Sequence, residues 1–296
     1  MLTSRLHMLG VGGGPRLHLE RSRPGIALEV GNSVYLFDVG YETVLQYQKA
    51  GLQFSSLQAV FITHRHFDHT SGLIPLMLHG WTAKPRGVQD NIAIYGPQNM
   101  AQSVALMLDS FRTEIDNFER GGGFGSFPSY RGIDIKPNPG ITLVYQDDLV
   151  EVHTTEVFHG AELSQALAYR VKIISSGKVI VFSGDVGEGD SNLGELASNC
   201  DYLVHEAQLN EDVEKLVASF PEGQKQDLRN HMLSSHTDVG GLPKFAKRHQ
   251  IKNIVFCHYT PFPGPVERYR LWAEQNREDF GGGIFAPNDL DVLEIS

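Results

Sequence analysis

The run Thr63-His64-Arg65-His66-Phe67-Asp68-His69-Thr70-Ser71-Gly72 sets three histidines and an aspartate within six positions. Neutral imidazole and carboxylate are the donors that zinc and similar divalent ions select. The H-x-H-x-D-H spacing follows an apolar run, Leu57-Gln-Ala-Val-Phe-Ile62, which reads as a buried strand. A loop leaving such a strand can aim all four side chains at one point. An isolated histidine is most often a satisfied structural residue. Four ligand-type residues at this spacing point instead to a metal site.

More ligand-type residues stand where other strand-like runs end. His159 closes Glu151–Phe158 and precedes Gly160. Asp185 follows Val179-Ile-Val-Phe-Ser-Gly184, and His258 follows Ile254-Val-Phe-Cys257. Each alone is an ordinary capping or turn residue. Together with the first motif they supply enough donors for a dinuclear site. Two cations that share a carboxylate also share a water, lower its pKa and furnish a bridging hydroxide nucleophile near neutral pH.

The elements that must position these residues alternate along the chain. Arg5–Val11 reads as a strand running into Gly12-Gly13-Gly14-Pro15, and Ile26–Val30 and Ser33–Asp38 flank a tight turn at Gly31-Asn32. Tyr41–Ala50 has helical spacing closed by Gly51, and a helix is expected from Gly72 to His79. Ile92–Tyr95 is a short strand stopped by Gly96-Pro97. Residues 97–140 break the rhythm: Gln98–Arg120 reads as one long helix or a broken pair, and Gly121–Pro128 as a flexible aromatic loop. Strand patterns resume at Ile141–Tyr145, Leu149–Phe158, Gln165–Ile174 and Lys178–Phe182. Beyond Asp190 helices and strands alternate through Ser191–Ser198, Tyr202–His205, Asp238–His249, Asn253–Cys257, Pro265–Asp279 and Leu290–Ile295. Strands followed by helices, twice over, predict an α/β protein with two sheets between helices, in one domain over residues 1–296. The cluster Gly10-Val-Gly12-Gly13-Gly14 fits neither a dinucleotide fingerprint nor a P-loop, and reads as a turn that brings backbone close to the site.

Composition is that of a globular enzyme, with 41% hydrophobic and 20% charged residues among 296. The net charge of -10 weighs against a general nucleic-acid binder, because phosphate backbones require a basic surface. Cys200 and Cys257 lie beside apolar runs and read as buried free thiols in a reducing compartment. The N-terminus lacks a signal-peptide pattern, and no stretch approaches the ~20 apolar residues of a membrane span. A cytoplasmic protein without membrane contact is expected.

The chain resembles the metallo-β-lactamase superfamily, and within it the branch holding ribonuclease Z, arylsulfatases and related phosphodiesterases. The resemblance rests on the glycine-rich first strand, Phe37-Asp38-Val-Gly40, Thr63–Gly72, His159, Ser183-Gly-Asp185, Val204-His-Glu-Ala207, Ser235-His236-Thr237 and Cys257-His-Tyr-Thr-Pro261. It implies a four-layer αβ/βα sandwich with two mixed sheets flanked by helices. It also implies that His64, His66 and His159 hold one divalent metal while Asp68, His69 and His258 hold a second, with Asp185 bridging. Zinc suits the all-histidine set; zinc, manganese or iron suits the carboxylate-richer one. Asp68, His236 and Glu206 take the catalytic roles: His236, at the start of a helical stretch, donates a proton to the leaving group and Glu206 orients it. His205 is expected to be a buried, hydrogen-bonded residue.

The resemblance admits several substrates. In ribonuclease Z a flexible arm that grips tRNA lies between the third metal histidine and the bridging aspartate. Here His159 and Asp185 are 26 positions apart, filled by a hairpin. Gln208 also stands where the family usually has Thr. These features and the acidic charge argue against a tRNA 3′ endonuclease. A small ester is expected instead, with phosphodiesters or sulfate esters first and lactones or other carboxylic esters next. A catalytically idle binding or sensor module is weighed against by seven intact ligand positions, and a homodimer is admitted. Phe111, Phe118, Phe124, Phe127 and Tyr130 are expected to form a lid over the metals.

Overall fold

A computed structural model describes residues 2–83, 87–136, 138–261 and 264–295; Pro137, within the expected lid, lies outside them. The first half of the chain builds β1 (Ser4–Gly10), β2 (Gly25–Val30), β3 (Ser33–Phe37), β4 (Leu57–Phe61), β5 (Ile92–Gly96) and β6 (Tyr130–Asp134). The second half builds β7 (Thr142–Gln146), β8 (Val150–Val157), β9 (Ala166–Ile173), β10 (Val179–Phe182), β11 (Tyr202–Gln208), β12 (Asn253–Thr260) and β13 (Gly283–Phe285). A last strand, β14 (Val292–Glu294), returns to pair with β1. The result is two seven-stranded sheets, ordered β14-β1-β2-β3-β4-β5-β6 and β13-β12-β11-β10-β9-β8-β7. Each begins as an antiparallel meander and ends as a parallel run, β3 to β6 in one and β10 to β13 in the other. Both sheets are therefore mixed, as expected.

Local sequence accounts for the joints. Val30 pairs with Ser33 across the β2–β3 turn, and Gly31 supplies its left-handed residue with φ +61°. Inner faces of the two sheets meet in one apolar core, where Phe37 of β3 stacks on Phe182 of β10 at 3.8 Å. Helices α1 (Thr43–Lys49) and α3 (Leu73–Thr82) cover the outer face of the first sheet through Val44, Tyr47, Leu73 and Leu76. Between them in sequence lies the single-turn α2 (Phe67–Thr70). The second sheet is covered by α6 (Ser191–Ala197), α9 (Leu242–Arg248) and α10 (Glu267–Gln275) through Leu193, Leu242 and Tyr269. Four layers result.

Several sequence expectations need correction. Of the two readings of Gln98–Arg120 the broken pair holds, as α4 (Met100–Ser110) and α5 (Arg112–Gly121) with the break at Phe111. The stretch after β11, to which the sequence assigned no element, forms α7 (Asn210–Ala218) and α8 (Glu222–Ser235). β6 and β13 were also unassigned, and β11 and β12 run three residues past their expected ends. Phe118, Phe124 and Phe127 gather around Trp81, with ring centroids 6.1, 6.1 and 5.0 Å from it. Cys200 is buried and Cys257 partly so, and both are free. No helix among the described residues is long and apolar enough to cross a membrane.

Candidate metal centre

His64 and His66 leave the C-terminal end of β4, and Asp68 and His69 follow in α2. His159 stands just past β8 and Asp185 just past β10. His258 lies within β12, not beyond a strand end. Glu206 pairs with Cys257 and Ala207 with Tyr259, so His258 is an extra, unpaired residue, with φ +47°. Such a bulge re-aims a side chain that would otherwise follow the pleat.

The seven candidates converge. His64 Nε2 lies 3.0 Å from His66 Nδ1, which lies 3.4 Å from His159 Nε2. Asp68 Oδ2 lies 3.6 Å from His69 Nε2 and 3.5 Å from His258 Nε2. Asp185 Oδ2 sits between the two sets, 3.8 Å from His64 Nε2, 3.6 Å from His159 Nε2, 3.4 Å from His69 Nε2 and 3.1 Å from His258 Nε2. Two donors bound about 2.1 Å from one tetrahedral ion stand about 3.4 Å apart, and the observed separations match that spacing. His69 Nε2 and Asp185 Oδ1 are buried with no hydrogen-bond partner, as atoms meant for a cation would be. His64, His66 and His159 form one group able to hold an ion, and Asp68, His69 and His258 another.

Burial and charge prepare these donors. Desolvation holds His64 neutral far below the usual imidazole range, lowers His66, and pushes His159 down to about 3. Burial would raise Asp68, but His69 and His258 outweigh it and hold the carboxyl at about 2. Asp185 is likewise kept ionised against burial, chiefly by His258 and His69. His69 shows the reverse: burial would lower it, yet Asp185, Asp38 and Asp68 raise it well above its ordinary value. Three carboxylates thus hold a proton where a divalent cation would serve them better.

Partners outside the cluster set the tautomers. Asp38 accepts from the Thr63 N–H at 2.8 Å and from the Thr63 hydroxyl at 2.9 Å, and lies 2.8 Å from His69 Nδ1. The Thr63 oxygen is 3.0 Å from His64 Nδ1, and the Ser235 carbonyl 2.7 Å from His159 Nδ1. In each case the other ring nitrogen is left facing the site. The expected glycine turn does approach the centre: a Cβ on Gly13 would lie 2.5 Å from His258 Nδ1. The buried Arg23 guanidinium holds that loop by donating to the carbonyls of Gly13 at 2.9 Å and Gly14 at 2.8 Å. Sequence reasoning missed Asp38 and Arg23 as supports; Phe37-Asp38-Val-Gly40 was the available signal for the first.

His236 and Glu206 also meet. His236 Nδ1 is 2.8 Å from Glu206 Oε2, and Glu206 Oε1 accepts from the Val186 N–H at 2.7 Å. Burial would lower His236, but Glu206 outweighs it and raises the ring to about 9. Glu206 is itself raised by burial against the pull of His236. Ser235-His236-Thr237 does not open a helix, as the sequence suggested; α8 ends at Ser235 and His236 is the first extended residue beyond it. His205 is buried, with Nδ1 2.8 Å from the Glu206 carbonyl, and belongs to neither metal group.

A cavity of about 380 Å³ opens over the cluster, with His66, Asp68, His159, Asp185, His236 and His258 in its lining. Its apolar wall is Leu216, Phe220, Leu228 and Met232, from α7, α8 and the turn between them, and Gly13 to Arg16 also line it. No described residue of 97–140 lines it, and Phe118, Phe124 and Phe127 of the expected lid pack on Trp81 instead.

A two-sheet sandwich carrying this His and Asp cluster defines a class, and the chain belongs to it: the β-lactamase superfamily domain matches residues 35–259. The protein is a hydrolase of the metallo-β-lactamase superfamily. Among curated relatives it is similar to ribonuclease Z of Mycobacterium bovis, 25% identical over 97% of each chain. Among solved structures it is similar to the short form of human tRNase Z, with TM-score 0.69, 22% identity and 99% of each chain covered. It is also similar to zinc-bound PqqB from Methylobacterium extorquens, with TM-score 0.69, 15% identity and coverage of 98% of this chain and 100% of that one.

Proposed function

We propose that the protein is a dinuclear phosphodiester hydrolase acting on a small substrate. The observation that carries this reading is the pairing of two ligand groups around Asp185 with a buried His236–Glu206 couple beside them. In it His64, His66 and His159 would hold one ion, Asp68, His69 and His258 the other, and Asp185 would serve both. The chemistry that two divalent ions, zinc by the donor set, would supply there is an activated water and neutralisation of charge on the attacked group. The protein's own part is orientation and proton delivery. Glu206, pinned by the Val186 N–H, fixes His236 through Nδ1. That leaves Nε2 to protonate the departing oxygen. The about 380 Å³ cavity with its apolar wall supports a small ester.

RNA is the second reading, favoured by the relatives named ribonuclease Z. The alignment to the Mycobacterium bovis protein spans 295 positions and 97% of each chain, which leaves that relative no long insertion. The short His159–Asp185 spacing therefore does not separate this chain from every relative of that name, and the expectation against nucleic acid loses its main support. Turnover of an aryl phosphodiester, an aryl sulfate, a lactone and a 3′-extended tRNA by zinc-loaded protein tests both readings. The phosphodiester should be hydrolysed fastest. Cleavage of the tRNA alone would replace the first reading with the second, and turnover of the lactone or sulfate alone would sink both.

A further inference from the structure

We infer that the α7–α8 hairpin is the leaving-group subsite, so that substrates carry an apolar, ring-sized alcohol as the group expelled. This rests on the proposed phosphodiester reaction and names the side of the substrate that sets its specificity. Leu228 and Met232 lie one turn apart on α8, and His236 follows at the same interval where the helix ends. All three line the cavity, so apolar surface leads directly to the ring placed to protonate the leaving oxygen. From across the hairpin Leu216 and Phe220, again four residues apart, complete the wall.

The hairpin has a small core of its own, Val213, Val217 and Met232 with Leu228 against it. Leu216 and Phe220 are not needed for that core and face the cavity instead. The Arg16 guanidinium lies 5.1 Å from the Phe220 ring centroid and has no acidic partner among the described residues. Arg16 closes the open end of the subsite with a cation that a phosphodiester anion tolerates and a cationic leaving group does not. The His236 ring stands 4.9 Å from that of His159 and 5.8 Å from that of His258, and shares the cavity lining with the apolar wall. An expelled group that is apolar gains burial on that wall, while a retained group on the far side does not.

Steady-state kinetics on three phosphodiesters test this: methyl phenyl, methyl 2-naphthyl and benzyl phenyl phosphate. Phenol and 2-naphthol are similar in acidity, so changing one for the other varies apolar area on the expelled side alone. The naphthyl ester should show a KM about tenfold below the phenyl ester, the size expected for burying roughly another ring. Replacing retained methyl by benzyl should change KM less than about twofold. Leu228→Ser and Phe220→Ala should each shrink the naphthyl advantage severalfold, with both metals retained. An advantage that follows the retained group, is missing, or survives both substitutions overturns the subsite. If no phosphodiester turns over, the proposed reaction fails, and calorimetry then decides the subsite separately. Tighter binding of 2-naphthylphosphonate than of methylphosphonate, reduced in Leu228→Ser, upholds it; equal binding removes it.

Discussion

Single residues carry the reading most directly, and His236 is the sharpest case. Its ring lies 2.8 Å from Glu206 and outside the two proposed triads, though it also forms groups able to hold an ion with His159 and Glu206 and with Asp185 and His258. His236→Ala should lower kcat about 100- to 1,000-fold while metal content stays at the wild-type level. Glu206→Gln should cost less, because the ring remains and only its orientation and charge support weaken. Full turnover by a metal-replete His236→Ala protein would remove the proton-donor role. All seven candidate ligands were legible in the sequence, because each follows a strand-like run or falls in the motif that does, and has a side chain with few structural uses there. Asp38 and Arg23 were not legible as supports. Asp38 reaches Thr63 and His69, and Arg23 reaches Gly13 and Gly14, only once separate strands have come together.

At the scale of elements, the strands were readable and the wall of the cavity was not. The runs before His64 and Asp185 are apolar, the run before His159 is mixed, and all three end in glycine or polar turns, which marks strand ends. Asn210–Ser235 is largely polar, with its apolar residues shared between a small core and the cavity, so no single face stood out. Phe118, Phe124 and Phe127 drew attention by their type, yet they bury against Trp81. The hairpin is tied down at Asp212, buried between Lys215 at 2.6 Å and Arg268 at 2.8 Å. Burial would raise the Asp212 carboxyl, but Arg268 and Lys215 outweigh it and lower the pKa. A carboxyl with a depressed folded pKa stabilises above its unfolded value of about 3.9, and that stability is lost as pH falls through the folded value. Asp212→Asn should therefore cost about 1 kcal/mol at pH 7, with a gap to wild type in thermal unfolding that narrows below about pH 4. A gap independent of pH would show that the ion pairs do not hold the hairpin.

For the whole molecule, the two sheets matter because ligands from both must meet. His64, His66, Asp68 and His69 come from the first sheet's side, and His159, Asp185 and His258 from the second. Phe37 against Phe182 joins the sheets beneath them. Phe182→Ala should lower stability by about 3–5 kcal/mol in urea unfolding and weaken metal retention, since it loosens the joint that sets the ligand spacing. Loss of stability without any change in metal affinity would separate the core from the site. The two-sheet architecture was legible from alternating strand and helix patterns. The pairing of β14 with β1 was not, because three residues from the far end of the chain carry little pattern. The central claim is that the His and Asp cluster holds two divalent ions, and metal analysis by mass spectrometry tests it most directly. Protein reconstituted with zinc and freed of excess should carry two equivalents per chain, and Asp68→Ala with His258→Ala should leave one. One equivalent or none in the wild type, or two in the double variant, would contradict it.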